Sequence, residues 1–262
     1  MNPSLRTSAS GMMAQQRMID VIANNLANVN TTGFKRSRVS FEDVLYETLQ
    51  GGRAANDAGA ETVGPVQIGK GVRIAAVLRL HSQGAPENTQ RPLDVAIEGD
   101  GFLQVQRPDG TIAYTRDGGL TLSQSGTLVT SGGYAVLPNI TVPQDATTVS
   151  IGPDGTVSVT AAGSTSPVEL GRIELARFVN PTGLVSIGEN LYAETEASGQ
   201  PVTGYSQEDG FGRLIQGSLE SSNVEIVQEM TDMIAAQRAY EINAKAIQAA
   251  EQMMQATNEI IR

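Results

Sequence analysis

Cysteine and tryptophan are absent from this chain, and histidine occurs once, at His81. Without cysteine there are no disulfides, no thiolate metal ligands and no thiol nucleophile, and methionine is left as the redox-active side chain. No run approaches the roughly 18 to 20 apolar residues that a membrane-crossing helix needs. The start, MNPSLRTSASGMMAQQ, lacks the basic-then-apolar layout of a secretory signal, so no cleaved signal is expected. Basic residues are outnumbered, 18 to 28, for a formal charge of -10. That balance argues against a nucleic-acid partner, whose phosphates demand a cationic footprint. The one basic cluster, Lys35, Arg36 and Arg38, reads as hydrated charge complementing a helix end.

Catalytic motifs are missing as well. GPVQIGKG, Gly64 to Gly71, has phosphate-loop spacing, but Gly71 stands where the magnesium-binding hydroxyl belongs, and VRIAAVLRL after it reads as a strand. Asp-Gly pairs beginning at Asp100, Asp109, Asp117, Asp154 and Asp209 lack the oxygen series of a calcium loop and read as turns. A Ser-His-Asp triad would hang on His81 alone, without a nucleophile elbow, and a lone histidine is usually structural or exposed. No catalytic residue, metal, cofactor or small-molecule substrate is nominated, and a non-enzymatic role is expected.

What is present is a sharp partition. Of 28 glycines, 26 lie between Gly51 and Gly217, and ten of 11 prolines lie between Pro65 and Pro201, while all eight methionines lie outside that span. The ends are therefore expected to be helical and the middle to be turns and strands. At the N-terminus, Asn2-Pro3 reads as a cap and Gly33 as a stop. Between them Leu5, Met12, Ile19 and Leu26 recur every seven residues, joined by Ala9, Ile22, Ala23 and Val29. At the C-terminus, Ser222 with Glu225 reads as a capping box, and Ile226, Met233, Tyr240, Ile247, Met254 and Ile261 keep the same step. At 1.5 Å per residue these helices would run about 40 Å and about 55 to 60 Å.

The fold class expected is α+β: antiparallel N- and C-terminal coiled-coil helices forming a stalk, with a central, mostly antiparallel β domain. The divisions are an N-terminal helix over 1–33, a connector over 34–71, a β-rich domain over 72–217 and a C-terminal helix over 218–262. Within the connector, Glu47 to Lys70 reads as poorly structured. PDGT occurs at Pro108 to Thr111 and again at Pro153 to Thr156, an echo that reads as two similar hairpins.

Residues 1–33 hold only Arg6, Arg17 and Asp20 as charges, against thirteen Ser, Thr, Asn and Gln residues. Uncharged polar faces cost less to desolvate than ionic ones and can exchange hydrogen bonds with other polar faces, which suits a helix surrounded by copies of itself. Asn24 and Asn28 share a face, and Asn30 to Gly33 can leave the helix through a turn.

IANNLANVNTTGFKRSR and SNVEIVQEMTDMIAAQRAYEINAKAIQAAEQMM resemble the paired terminal motifs of bacterial flagellar axial proteins, the family of rod and hook subunits. PLDVAIEGDGFLQVQRPDGTIAYTRDG, Pro92 to Gly118, resembles the β domain of that family. The matching motif residues are Asn24, Asn25, Leu26, Asn28, Thr32, Gly33 and Phe34. In length and in its last motif the chain resembles the distal rod branch, lacking the outer domains of hook proteins and exceeding the proximal rod subunits. The resemblance implies helical polymerisation into a drive shaft around an export channel, in the periplasm and towards the outer membrane. It implies type III export without a cleaved signal. Implied partners are many copies of the chain, proximal rod and hook subunits, a surrounding ring and the export apparatus. The seven-step residues of both helices would form the subunit seam, and Glu47 to Lys70 would wedge between neighbours. The alternatives are a proximal rod or hook subunit, or a secreted stalked β-rich adhesin or glycan-binding protein.

Overall fold

A computed structural model of the chain describes residues 3–50, 66–162 and 166–260. The protein is α+β, with a helix near each end and a mostly antiparallel β region between them. It divides into two compact units. The first comprises Met1–Leu26, Ser37–Leu78 and Glu225–Arg262; the second comprises Ala27–Arg36 and Arg79–Val224.

The first unit is built on helix α1 (Pro3–Ala27), strands β1 (Ser37–Asp43), β2 (Tyr46–Gln50), β3 (Val66–Gly69) and β4 (Val72–Arg79), and helix α2 (Ile226–Ile260). β1 pairs with β4. β2 and β3 pair antiparallel, Tyr46 opposite Gly69 and Thr48 opposite Gln67. Both ends of the stretch expected to be poorly structured are thus ordered in a ladder. Tyr46, Thr48, Val66 and Ile68 supply the aromatic and β-branched side chains that strands favour. Residues 51–65 of that stretch lie outside the described residues. Gly71 leads into strand β4, as expected for a sequence that is not a phosphate loop.

α1 stops at Ala27, short of the stop expected at Gly33. Asn28 explains the difference. Its carbonyl accepts from Thr31 N–H at 3.1 Å and its side-chain oxygen from the Thr31 hydroxyl at 3.2 Å, a local turn that competes with helix continuation. Gly33 is left-handed (φ 66°) but sits beyond that turn. α2 begins at Ile226, and the expected capping box does not form. Ser222 Oγ accepts from Val224 N–H at 3.3 Å, and Glu229 N–H reaches the Glu225 carbonyl at 3.0 Å. The Asn223 amide is engaged with Leu80 and Ser82 carbonyls and with Arg36 N–H, which holds the chain extended until the helix starts.

The second unit carries a nine-stranded antiparallel sheet. Its path runs Val185–Gly188, Leu191–Ala193, Ile112–Thr115, Phe102–Gln106, Ala135–Val136, Leu128–Thr130, Leu120–Leu122, and Glu174–Arg177 with Val202–Tyr205 joins it at Phe102–Gln106. A three-stranded sheet, Ala146–Ile151, Thr156–Ala161 and Val168–Arg172, accompanies it. Val95, Leu103, Val105, Leu120, Leu128, Ile173 and Leu175 are wholly buried between strands. The two PDGT segments turn alike. In each the aspartate oxygen accepts from the threonine N–H two residues on, and the glycine between is left-handed, at Gly110 and Gly155.

Candidate assembly interface

The helices of the first unit touch at two places equally spaced on each. Asn25 Nδ2 donates to Glu229 Oε2 at 3.1 Å, and fourteen residues back along α1 the Gly11 backbone lies against the Asn243 side chain, fourteen residues on along α2. Equal steps in opposite directions make the contact antiparallel. The approach is close: a Cβ added at Gly11 would sit 3.1 Å from Asn243 Nδ2, so the Asn243 side chain would have to give by a few tenths of an ångström. Asn25 is buried and does further work: its amide donates to Ser37 O at 2.9 Å, and its oxygen accepts from Ser37 N–H at 2.8 Å. One side chain thus holds the end of α1, the start of β1 and the first turn of α2.

The stripe buried on α2 is offset from the apolar series picked out by the seven-residue step. Glu229, Ala236 and Ala250 are the buried positions, with Asn243 between them half-buried. In the expected seam, Met233 and Ile247 are half-buried, but Ile226 (47% exposed), Tyr240 and Met254 are exposed. Ile261 lies outside the described residues. On α1 the expected Leu5, Met12, Ile19 and Leu26 are all half-buried, while Ala14, Ile22 and Asn25 are buried. Small and polar side chains take the close-contact positions because they let backbones approach. Most of the larger apolar ones are half-buried or exposed, Ile22 being the buried exception.

Apolar exposure continues elsewhere on this unit. Val227 is 74% exposed and Met13, Met230, Ile234 and Met253 are likewise open. Leu45, just before β2, and Tyr46, Val66 and Ile68 on the β2–β3 pair are exposed as well. A groove of about 520 Å³ lies between α1 and β4, with Met13, Ala14, Val72 and Ile74 along it and Arg17 and Arg73 at its rim. Among the described residues no cluster of His, Asp and Glu is arranged to hold a metal.

The second half of the asparagine-rich motif belongs to the other unit. Gly33 N–H donates to Glu220 O at 2.8 Å, Thr32 Oγ1 to Asp117 at 3.0 Å, and Asn190 Nδ2 to Thr32 O at 3.1 Å. Phe34 is buried beneath the Arg79 guanidinium, 5.4 Å from its ring centre. Gly33 cannot carry a side chain, since its φ is positive and a Cβ would lie 2.8 Å from Arg116 and Asp117 backbone atoms. Asn24 is exposed and Asn28 half-buried.

Lys35 corrects the expectation of a hydrated basic cluster. It is 1% exposed, paired with Glu220 and donating to Ser82 O at 2.7 Å. Arg116, also buried, reaches the second Glu220 oxygen at 3.4 Å. Burial pulls the Lys35 ammonium below the ordinary lysine range, with the Glu220 carboxylate opposing it. His81 lies edge-on to Phe102 and Tyr192, both ring nitrogens buried without a partner. Burial, reinforced by Lys35, Arg116 and Arg79, pushes its pKa down to about 4. Sequence reasoning missed this cluster because Lys35, His81, Arg116 and Glu220 lie far apart along the chain and their spacing carries no motif.

Comparison with known proteins gives the unit its context. Residues 5–35 match the family described as flagella basal body rod protein. Residues 96–159 match the flagellar hook protein FlgE/F/G D1 domain, and residues 215–260 the C-terminal region of the flagellar basal body rod FlgEFG proteins. The flagellar basal-body rod protein FlgG of Borreliella burgdorferi is 51% identical over 263 residues, covering 99% of this chain and 98% of that protein. The chain belongs to the flagellar basal-body rod family. Within that family it is 47% identical to FlgG of Caulobacter vibrioides over 98% of each chain. FlgF of the same bacterium is 37% identical, over 100% of this chain and 96% of its own. Members of one organism thus separate by type, and this rod-family chain falls nearer FlgG.

Proposed function

We propose that this chain is a non-enzymatic structural subunit that polymerises helically into the distal rod of the bacterial flagellar basal body, transmitting torque and enclosing the export channel. The observation that carries the reading is the apolar surface left open on both helices of a rod-family chain. Each side chain of this kind well buried at an interface contributes about 1.5 to 3 kcal/mol, so a subunit with several of them gains from neighbours what it lacks alone. The greater identity to FlgG than to FlgF of one bacterium favours the distal type over a proximal rod subunit.

In this reading α1 and α2 pack as coiled-coil elements of an inner tube, and the second unit forms the outer layer. The seam consists of Leu5, Met12, Ile19, Leu26, Ile226, Met233, Tyr240, Ile247, Met254 and Ile261, and residues 47–70 wedge between neighbours. The chain travels by the flagellar type III export apparatus. It meets proximal rod and hook subunits at the ends of the tube and a ring around it, in the periplasm towards the outer membrane. Heterologous contacts that do not close generate such filaments.

Electron cryo-microscopy of material assembled from the purified chain tests this. Straight hollow tubes with α1 and α2 innermost are expected. Monomers that stay dispersed at every concentration, with both helices as protected from hydrogen exchange as the β sheet, would favour a self-sufficient globular protein instead.

A further inference from the structure

α2 is longer than α1, 35 residues against 25. Extending the register set by Asn25 with Glu229 and Gly11 with Asn243 places Pro3 across from Glu251. Gln252 to Ile260 therefore continue beyond the described residues of α1. In this overhang Met253 is 63% exposed and Met254 is exposed beside it, with the exposed carboxylate of Glu251 at its root. The same register puts Glu241 across from Met13, at the groove between α1 and β4. Met253 is twelve residues further along α2, about 18 Å at 1.5 Å per residue, so a chain cannot fill its own groove with its own overhang.

We infer that the α2 overhang of one copy, Glu251 to Met254, docks in the α1–β4 groove of the next. The inference rests on the assembly reading above and adds which surfaces meet. Two features of the groove fit that occupant. Met13, Ala14, Val72 and Ile74 offer an irregular apolar lining, and unbranched methionine side chains adapt to such surfaces. Arg17 and Arg73 at the rim are both 70% exposed, and their pairs with Asp20 (3.6 Å) and Glu42 (2.9 Å) are solvent-facing contacts of little strength. A guanidinium has five donors, so either can take the Glu251 carboxylate as well. Groove and overhang are different patches displaced along the helix axis. The contact is therefore heterologous: each copy that fills a groove presents an empty groove of its own, which propagates a line and does not close a dimer.

The absence of cysteine makes the test clean. Chains carrying Met13→Cys and chains carrying Met253→Cys are purified separately, mixed, assembled and oxidised with diamide. A covalent dimer containing one chain of each kind is expected in the polymer, about tenfold or more above the yield from dilute monomers, because assembly raises the effective concentration of the two thiols. The double variant should give a ladder. Arg73→Glu should slow assembly, and Glu251→Arg in the same chain should restore it. Normal tubes without the mixed dimer would overturn the docking and leave the rod reading standing, as would cross-linking within a single chain. So would a Met13→Cys chain that, in cells, couples only to a different protein. Failure of the unsubstituted chain to form any polymer would instead remove the assembly reading and this contact with it.

Discussion

Lys35 Nζ lies 2.5 Å from Glu220 Oε1, and both side chains are 99% shielded from water. Glu220 also accepts from Gly84 N–H at 2.8 Å and pairs through its other oxygen with Arg116. The carboxylate is the one anion of this buried contact, shared by two cations.

Removing it should be costly. Glu220→Gln leaves Lys35 and Arg116 buried without their counter-charge, and loss of one partner of a buried pair costs about 3 to 5 kcal/mol. Urea unfolding followed by circular dichroism should record that loss. A Lys35→Met, Glu220→Leu double variant should recover part of it, and equal destabilisation by the single and double variants would contradict the pairing argument.

His81 predicts an acid weakness. Its folded pKa, about 4, is below the ordinary value of 6.5, so between those values the unfolded chain takes up a proton that the folded chain refuses. The contribution of neutral His81 is complete above about pH 6.5 and is lost as the pH falls towards 4, by at most about 3 kcal/mol. His81→Phe, which keeps an aromatic ring against Phe102 and Tyr192, should flatten that part of the stability profile. An unchanged profile would mean that other groups govern it.

Asn25 should respond to charge more than to shape. Asn25→Asp loses the amide donor, and with it the bond to the Ser37 carbonyl, and sets a carboxylate against Glu229. A loss of about 2 to 3 kcal/mol at pH 7 is expected, easing when the carboxylates are protonated. Measuring the unfolding midpoint at pH 7 and pH 4 separates this from a packing defect, which would be insensitive to pH; the His81→Phe background removes the competing titration.

The exposed and buried positions of α2 should part company. Ala236→Leu crowds a buried site and should cost the monomer about 1 to 3 kcal/mol. Ile226→Ala and Met254→Ala, at exposed positions, should change monomer stability by less than about 1 kcal/mol while lowering the yield of polymer. Met233→Asp and Ile247→Asp should block assembly with the β sheet still folded. Light scattering and near-ultraviolet circular dichroism read the two effects apart.

Both long helices and the turn-rich middle were legible in the chain, because heptad steps and Asp-Gly turns are local patterns. Their boundaries were less so: Asn28 and Asn223 spend their amides on a turn and on distant carbonyls, and those partners cannot be seen from neighbouring residues. The apolar step on α2 marked the right helix but not the close-contact line, since Ala236, Asn243 and Ala250 carry no hydrophobic signal strong enough to compete with Met233 and Ile247. The asparagine motif was recognisable as a motif, yet its division, Asn25 holding strand β1 and Gly33 to Lys35 anchored in the sheet-bearing unit, depends on folding. Lys35 looked hydrated because its counter-charge is 185 residues away.

Gly11 sits in the middle of α1, where glycine costs about 1 kcal/mol relative to alanine, and the helix carries neither acidic residues in its first turn nor basic ones in its last. Such a segment gains little helix stability from its own ends. Apart from its neighbours α1 would be a marginal helix, and its shape depends on contacts such as that of Gly11 with Asn243.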